Sequence, residues 1–392
     1  LQEENHFWKE FGDEMMIYLD SAATSPMRKE AVDAYIEAAT SAFGNTQSLH
    51  DAGCTAADYV ASCRQMWGRF FNGREEGIYF TANASEGNQL TIRSLLRGRP
   101  PEFKDIVTTR LEHASVLTTM HELEKEGYRI HYIPVNIFGV IDIQAFEQTV
   151  NHQTALIVMQ LVNSEMGAIQ PVKECANYAK QLGVPFHCDI VQGLGKIPLD
   201  VTELGVTSIV CSAHKIGGPK GVGIVYINPS VHWESVYEGT THQHGFRSGT
   251  VDVPAIVSAT IAAKYALSDQ AEAFQQALRL QTFVLENLPK GVQLVGDKYA
   301  KSPFILGLIM PHVEGQWMML ECNRQQIAIS TGTACKIGFG EAMSAMSAIG
   351  YASDEARKFV RISFNQHTTS QEVETFLKVV KQSLNDIIKA TL

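Results

Sequence analysis

Between about residues 75 and 230, short apolar runs alternate with segments of helical spacing, and this alternation restricts the chain to few folds. Runs at 78–80, 105–107, 130–133, 155–158 and 184–187 read as strands, and 208–211 and 222–227 add two more around a tight loop. Segments 115–126 and 172–182 have helical spacing between them. Strands alternating with helices predict a mainly parallel sheet covered on both faces. Ligands of such sheets bind at the carboxyl ends of the strands.

At 392 residues the chain is too long for one ordinary core, so two domains are expected. The helical segments 254–267 and 270–285 form a bridge to a second region with its own strand signals at 304–310 and 360–364. A closing amphipathic helix spans 370–388, with Ser370 as its cap. The division predicted is a large domain over 16–265 and a smaller α+β domain over 266–392. Residues 1–15 are expected to pack near the smaller domain or to be disordered. They read as an upstream extension, because Met15 or Met16 precedes Ile17-Tyr18-Leu19-Asp20 as a natural start.

The chain has 32 basic and 42 acidic residues, a net charge of -10, with the basic residues scattered. That argues against a nucleic-acid surface. No apolar run reaches the roughly 20 residues needed to span a bilayer, and the polar, acidic N-terminus has no signal-peptide pattern. A cytoplasmic protein is expected. Seven cysteines without a CxxC pair give no support to zinc-ribbon or thioredoxin readings; reduced, mostly buried thiols are expected, and six of them fall in helical or strand patterns as structural residues.

Six short motifs point to chemistry. Ser212-Ala213-His214-Lys215-Ile216-Gly217-Gly218 lies between two apolar runs. A lysine at a buried strand end is costly when charged, so Lys215 is a candidate Schiff-base nucleophile. Ser212 and His214 beside it suit a phosphate. Thr81-Ala82-Asn83-Ala84-Ser85 follows a strand and opens a helix, an anion site at Ala84 and Ser85 or a plain cap by Ser85. His187-Cys188-Asp189-Ile190-Val191-Gln192 ends another strand. A buried Asp189 needs a cationic partner, and a pyridinium nitrogen is one. A metal held by His187, Cys188 and Asp189 is the rival, disfavoured because adjacent strand residues face opposite ways.

Glu112-His113-Ala114-Ser115 offers a histidine that stacks on a ring or moves protons, or merely caps a helix. Arg247-Ser248-Gly249-Thr250 is a turn with a cap, or a phosphate contact across a subunit interface. Ser330-Thr331-Gly332-Thr333-Ala334-Cys335-Lys336 surrounds a cysteine with small polar residues, which suggests an exposed loop whose Lys336 favours the Cys335 thiolate.

Taken together, these motifs resemble those of the NifS/IscS cysteine desulfurases, class V, fold type I pyridoxal-phosphate enzymes. The likeness runs from Tyr18-Leu19-Asp20-Ser21-Ala22-Ala23-Thr24 to about residue 376, with the motifs in the family's order. It implies a large domain with a mainly parallel seven-stranded sheet between helices, and a smaller α+β C-terminal domain carrying the Cys335 loop. It implies pyridoxal 5'-phosphate as cofactor: Lys215 in the Schiff base, Asp189 on the pyridine nitrogen, Gln192 at the ring hydroxyl, and His113 stacked and moving protons. Ala84, Ser85, Ser212 and His214 would hold the phosphate, with Thr250 reaching in from a second copy in a homodimer. Asn163, in Val162-Asn163-Ser164-Glu165-Met166-Gly167, and Arg361 would hold the carboxylate of L-cysteine. Cys335 would accept the sulfur and pass it to an acceptor. Candidates for the acceptor are an iron–sulfur scaffold of the U type, a tRNA-thiolating enzyme, or a dedicated apoenzyme such as quinolinate synthase.

Two stretches depart from the family pattern. Gly239-Thr240-Thr241-His242-Gln243-His244 replaces a Gly-Gly-Gly and His-Glu-Arg run, and reads as a solvated loop in preference to a metal site at His242 and His244. Lys336-Ile337-Gly338-Phe339-Gly340 replaces the small polar residues usual after the cysteine. The alternatives are a selenocysteine lyase or class V aminotransferase on the same fold, and a catalytically silent sulfur-assembly subunit. The silent subunit has no need of the lysine, aspartate, histidine and arginine sites together.

Overall fold

The computed structural model describes residues 16–332 and 345–391, so Thr333, Cys335 and Lys336 lie outside the described residues. The chain begins with β1 (Ile17–Tyr18) and two helices, α1 (Lys29–Ser41) and α2 (Asp51–Phe70). The alternating region follows: β2 (Ile78–Thr81), α3 (Ala84–Arg97), β3 (Asp105–Thr109), α4 (Ala114–Lys125), β4 (Arg129–Ile133), α5 (Ile143–Thr149), β5 (Thr154–Gln160), α6 (Val172–Gln181), β6 (Phe186–Asp189), α7 (Val201–Leu204), β7 (Ser208–Ser212) and β8 (Gly223–Ile227). Then come α8 (Val253–Ser268), α9 (Gln270–Glu286), β9 (Gln293–Val295), β10 (Ile305–Ile309), α10 (Gly315–Arg324), β11 (Ile327–Ala328) and β12 (Ser330–Thr331). The chain ends with α11 (Ala345–Ala348), α12 (Ser353–Ala356), β13 (Phe359–Ser363) and α13 (Ser370–Thr391).

Seven strands form one sheet in the order β2-β8-β7-β6-β5-β3-β4. The neighbours from β7 to β4 are all parallel, and β8 runs antiparallel to both β2 and β7. The expected α/β architecture is therefore present, with one reversed strand. The reversal follows from the short connection after Ser212, since a parallel neighbour would need a crossover of a dozen or more residues. Every residue of β5, β6, β7 and β8 is buried, as two helix-covered faces require. The strand read at 184–187 starts later, at Phe186, because Pro185 has no N–H for the ladder.

A second sheet, β12-β13-β10-β9, is antiparallel throughout. The N-terminal β1 pairs in parallel with β11, and Leu19 packs in one apolar cluster with Leu306, Val360, Phe376 and other residues from 280 to 384. The start of the chain thus packs with its end. Helices α1 and α2 were not evident as sequence patterns. Only Ala31 and Ala38 of α1 are buried, whereas Val32, Tyr35 and Ile36 are exposed, so its apolar stripe is blurred.

One glycine governs how the sheet and α3 meet. A Cβ on Gly87 would lie 2.6 Å from Val210 Cγ2 of β7 and 2.9 Å from Val225 Cγ2 of β8. Gly87→Ala is expected to push α3 off the sheet and cost about 1–3 kcal/mol of stability, as overpacking does. Urea unfolding of the variant measures this, and an unchanged midpoint would refute the close approach.

Candidate active site

The carboxyl ends of β2, β3, β5, β6 and β7 share one edge, and Ser85, His113, Asp189, Gln192, Ser212 and Lys215 lie at or just after them. Asp189 is the last residue of β6, in register with Gln160, the last of β5. Ser212 ends β7, and Lys215 follows it in a short 3-10 turn. Lys215 Nζ donates to the carbonyls of Ala22 (2.6 Å) and Ala23 (2.5 Å). Gln192 Nε2 donates to the same Ala22 carbonyl at 2.9 Å, so one peptide of the N-terminal segment joins the β6 and β7 loops.

Asp189 is buried, 6% exposed. Its Oδ2 accepts from Asn88 Nδ2 at 3.0 Å and its Oδ1 from the Val191 N–H at 3.0 Å. Among the described residues it has no cationic partner. A buried carboxylate with two neutral donors and no cation fits a site that receives a protonated ring nitrogen. The rival metal reading gains nothing: His187 donates to Asn88 and meets Ser208, while burial pushes the Cys188 thiol well up. Among the described residues no cluster of three metal-ligating side chains occurs.

The other polar groups at this edge fit an anion. The cap of α3 is Asn83, whose Oδ1 accepts from the Glu86 N–H at 2.9 Å. Ser85 is therefore not the cap, and its exposed hydroxyl sits in the first turn of a 14-residue helix. Ser212 Oγ is buried with no hydrogen-bond partner among the described residues. His214 Nδ1 meets Thr24 Oγ1 at 3.0 Å. Burial, then the charges of Lys215, Lys220 and Lys196, push His214 down to about 4. Thr250 is exposed and meets none of these residues within one chain. Arg247 is taken by Glu86, its Nε donating to both carboxylate oxygens at 2.9 Å, and the cap of α8 is Asp252.

His113 caps α4, with its Nδ1 2.8 Å from Ser115 Oγ and 3.2 Å from the Ser115 N–H. The turn before it is pinned at the Leu111 carbonyl, which accepts from Gln160 Nε2 (2.5 Å) and Asn163 Nδ2 (3.2 Å). Asn163 Oδ1 meanwhile accepts from the N–H groups of Glu165 and Met166. Arg361 lies on β13, where Nη2 donates to Asp20 Oδ1 at 2.6 Å and Nη1 to the Ser164 carbonyl at 3.0 Å. Its Nε is buried with no partner among the described residues, so a donor remains for a carboxylate. The segment 239–244 is more than a solvated loop. Gln243, at φ 47°, docks its amide on the edge of β2, accepting from the Phe80 N–H (2.7 Å) and donating to its carbonyl (2.6 Å).

Three buried groups at the site escaped sequence reasoning. Asn88 is fully buried. Lys196 is 7% exposed and donates to Gln192 Oε1 at 2.6 Å; burial, with the charges of Lys215 and Arg361, pushes it down to about 7. The signal for it was a lysine inside the apolar run Leu194-Gly195-Lys196-Ile197. Glu112 is 5% exposed and accepts from Thr109 Oγ1 at 2.7 Å, while its Oε2 has no partner among the described residues.

Burial, opposed by the Thr109 hydrogen bond and reinforced by Asp189, raises Glu112 from 4.5 to about 8. A raised carboxyl stabilises the fold fully below its unfolded value, and that contribution is lost as pH rises through the folded value. Glu112→Gln removes this loss. The variant is expected to gain stability over the native chain as pH rises from 4.5 to about 8, by an amount of the order of several kcal/mol. Urea unfolding across that window tests it, and a difference independent of pH would refute it.

A family model for class-V aminotransferases matches residues 17–376. A protein of Bacillus subtilis (strain 168), provisionally named cysteine desulfurase NifS, is 41% identical over 367 residues, which cover 92% of this chain and 93% of the relative. Cysteine desulfurase IscS of Rickettsia rickettsii (strain Iowa) is 32% identical over 377 residues, covering 95% of this chain and 92% of that one. A solved structure of a NifS-like protein matches with a TM-score of 0.89 at 29% identity, over 95% of this chain and 100% of the other. The chain belongs to the class-V aminotransferase family, among the NifS- and IscS-type cysteine desulfurases.

Proposed function

We propose that this protein removes sulfur from L-cysteine, giving L-alanine and a persulfide on Cys335, with pyridoxal 5'-phosphate as its cofactor. The observation that carries the proposal is the pairing of Lys215, tethered beside Gln192 at the Ala22 carbonyl, with Asp189 on the adjacent strand, buried and without a cation among the described residues. Lys215 would bind the cofactor covalently, and Asp189 would hold its ring nitrogen protonated. Gln192 and His113 would contact the ring. Ala84, Ser85, Ser212 and His214 would hold the phosphate, joined by the partner subunit's Thr250. When bound, the cofactor stores the electron pair left on the substrate when a Cα bond breaks.

The chain's own groups do the rest. Arg361, oriented by Asp20 and the Ser164 carbonyl, presents its unused Nε–H to the substrate carboxylate, with Asn163 beside it. Lys215 Nζ takes the Cα proton. The Cys335 thiolate attacks the substrate sulfur, the C–S bond breaks with its electrons left on carbon, and protonation there leads to alanine. The sulfur stays on Cys335 as a persulfide. Cys63, Cys175, Cys188, Cys211 and Cys322 are buried with their thiols pushed up by burial, which leaves Cys54 as the exposed thiol among the described residues.

The persulfide is passed to an acceptor protein for iron–sulfur or other sulfur-cofactor assembly, of the scaffold, tRNA-thiolating or apoenzyme kinds. The active unit is a homodimer, supported by the exposed apolar side chains of Val32, Tyr35, Ile36, Phe43 and Leu49. The division at about residue 265 rests on separate apolar clusters in the two sheets. Among the described residues no helix is long and apolar enough to cross a membrane, and we place the protein in the cytoplasm.

Mass spectrometry after brief exposure to L-cysteine tests the assignment. A 32 Da addition is expected on the Cys335 peptide, absent in Cys335→Ser and in Lys215→Ala, and retained in Cys54→Ser, one sulfur atom being about 32 Da. Sulfide release in Cys335→Ser is expected to fall by about 100-fold or more. Undiminished release in that variant would overturn the role of Cys335.

A further inference from the structure

Asn88 has no solvent exposure and touches three polar groups directly, on Asp189, Ser115 and His187. Its orientation is fixed by chemistry. Asp189 only accepts when ionised, so the Asn88 atom facing it at 3.0 Å is Nδ2. The second Nδ2 proton goes to Ser115 Oγ at 3.1 Å. Asn88 Oδ1 must then accept, and its partner is His187 Nε2 at 2.9 Å. His187 Nδ1 accepts in turn from Ser208 Oγ at 2.8 Å. Burial pushes His187 down to about 3, which agrees with a neutral ring that donates on one side and accepts on the other.

The chain continues on the other side. Ser115 Oγ accepts from Asn88, so its own proton goes to His113 Nδ1 at 2.8 Å. The Ser115 N–H points at the same Nδ1 from 3.2 Å. Two donors on Nδ1 leave the imidazole proton to Nε2. All donors therefore point one way, from Ser208 through His187, Asn88 and Ser115 to His113, with a branch from Asn88 to Asp189.

We propose that Asn88 is a positioning residue of the active site, fixing the Asp189 carboxylate and, through Ser115, holding His113 in the tautomer that carries its proton on Nε2. The proposal rests on the cofactor reading above for what Asp189 and His113 act upon. A single amide thus sets both Asp189, which would hold the ring nitrogen, and, through Ser115, His113, which would move protons. The residue is well placed for this because α3 packs against β7 and β8 through Gly87, its immediate neighbour.

The test separates the two branches. Nitrogen-15 NMR of histidine-labelled full-length protein reads the His113 tautomer, with the signal assigned by its loss in His113→Gln. Dissociation of pyridoxal 5'-phosphate from the purified enzyme reads the Asp189 branch. Ser115→Ala is expected to release His113 into a mixture of tautomers while cofactor retention changes by less than about twofold, since Ser115 does not touch Asp189. Ser115→Thr, which keeps the hydroxyl, is expected to restore the single tautomer. Asn88→Leu is expected to mix the tautomers and also to speed cofactor loss by about tenfold or more, the size of a lost bond to a charged group. A single Nε2–H tautomer persisting in both Ser115→Ala and Asn88→Leu would overturn the proposal, as would native cofactor retention in Asn88→Leu. A native protein that takes up no pyridoxal 5'-phosphate would sink the cofactor reading instead, and the tautomer of Ser115→Ala would still decide whether the chain of donors exists.

Discussion

A carboxylate buried with no cation beside it among the described residues is the constraint on which this structure turns. Asp189 ends β6, 6% exposed, with one amide and one backbone N–H as its donors. An ionised carboxylate in that setting is costly unless a positive charge comes to it. The surrounding fold is arranged to deliver one. Parallel strands place Asp189, Gln160, Ser212 and Thr109 along a single edge, and the reversed β8 returns the chain after Lys215 without a crossover. Gly87 lets α3 lie close enough for Asn88 to reach Asp189.

The N-terminal segment is the second organising device. Within a few residues it supplies Asp20 to Arg361, the Ala22 carbonyl to Lys215 and Gln192, and Thr24 and Ser25 to the His214 loop. Its own pairing is with C-terminal strands, Asp20 with Ser363 of β13 and Ile17 and Tyr18 with β11, while Ala22, Thr24 and Ser25 reach the loops of the larger sheet. A side chain on the smaller sheet, Arg361, is thereby tied to the site built on the larger one. Shortening or displacing this segment would disturb the lysine and the arginine together.

Much of this arrangement was legible because it depends on period and punctuation. The alternating runs give the α/β layering, and Lys215, Asp189, His113 and Ser85 are visible as polar residues where strands or helices change over. What was not legible depends on burial and direction. Asn88, Lys196 and Glu112 look like ordinary polar residues of a helix, a loop and a turn, and only the packing around them makes them costly and therefore informative. Asn83 and Ser85 are both acceptable caps by residue type, and the backbone geometry decides for Asn83. The docking of Gln243 on β2 depends on a left-handed backbone at a non-glycine residue, which no local pattern announces.

Cleavage of the carbon–sulfur bond of L-cysteine is the reaction proposed for these residues. The most direct measurement is a product count during turnover of L-cysteine with excess reductant, with alanine, sulfide and keto acid quantified in the same sample. Alanine and sulfide in equal amounts, with no keto acid, are expected. Keto acid formed without matching alanine, with the sulfur still on carbon, would contradict it and make the protein a transaminating member of its family.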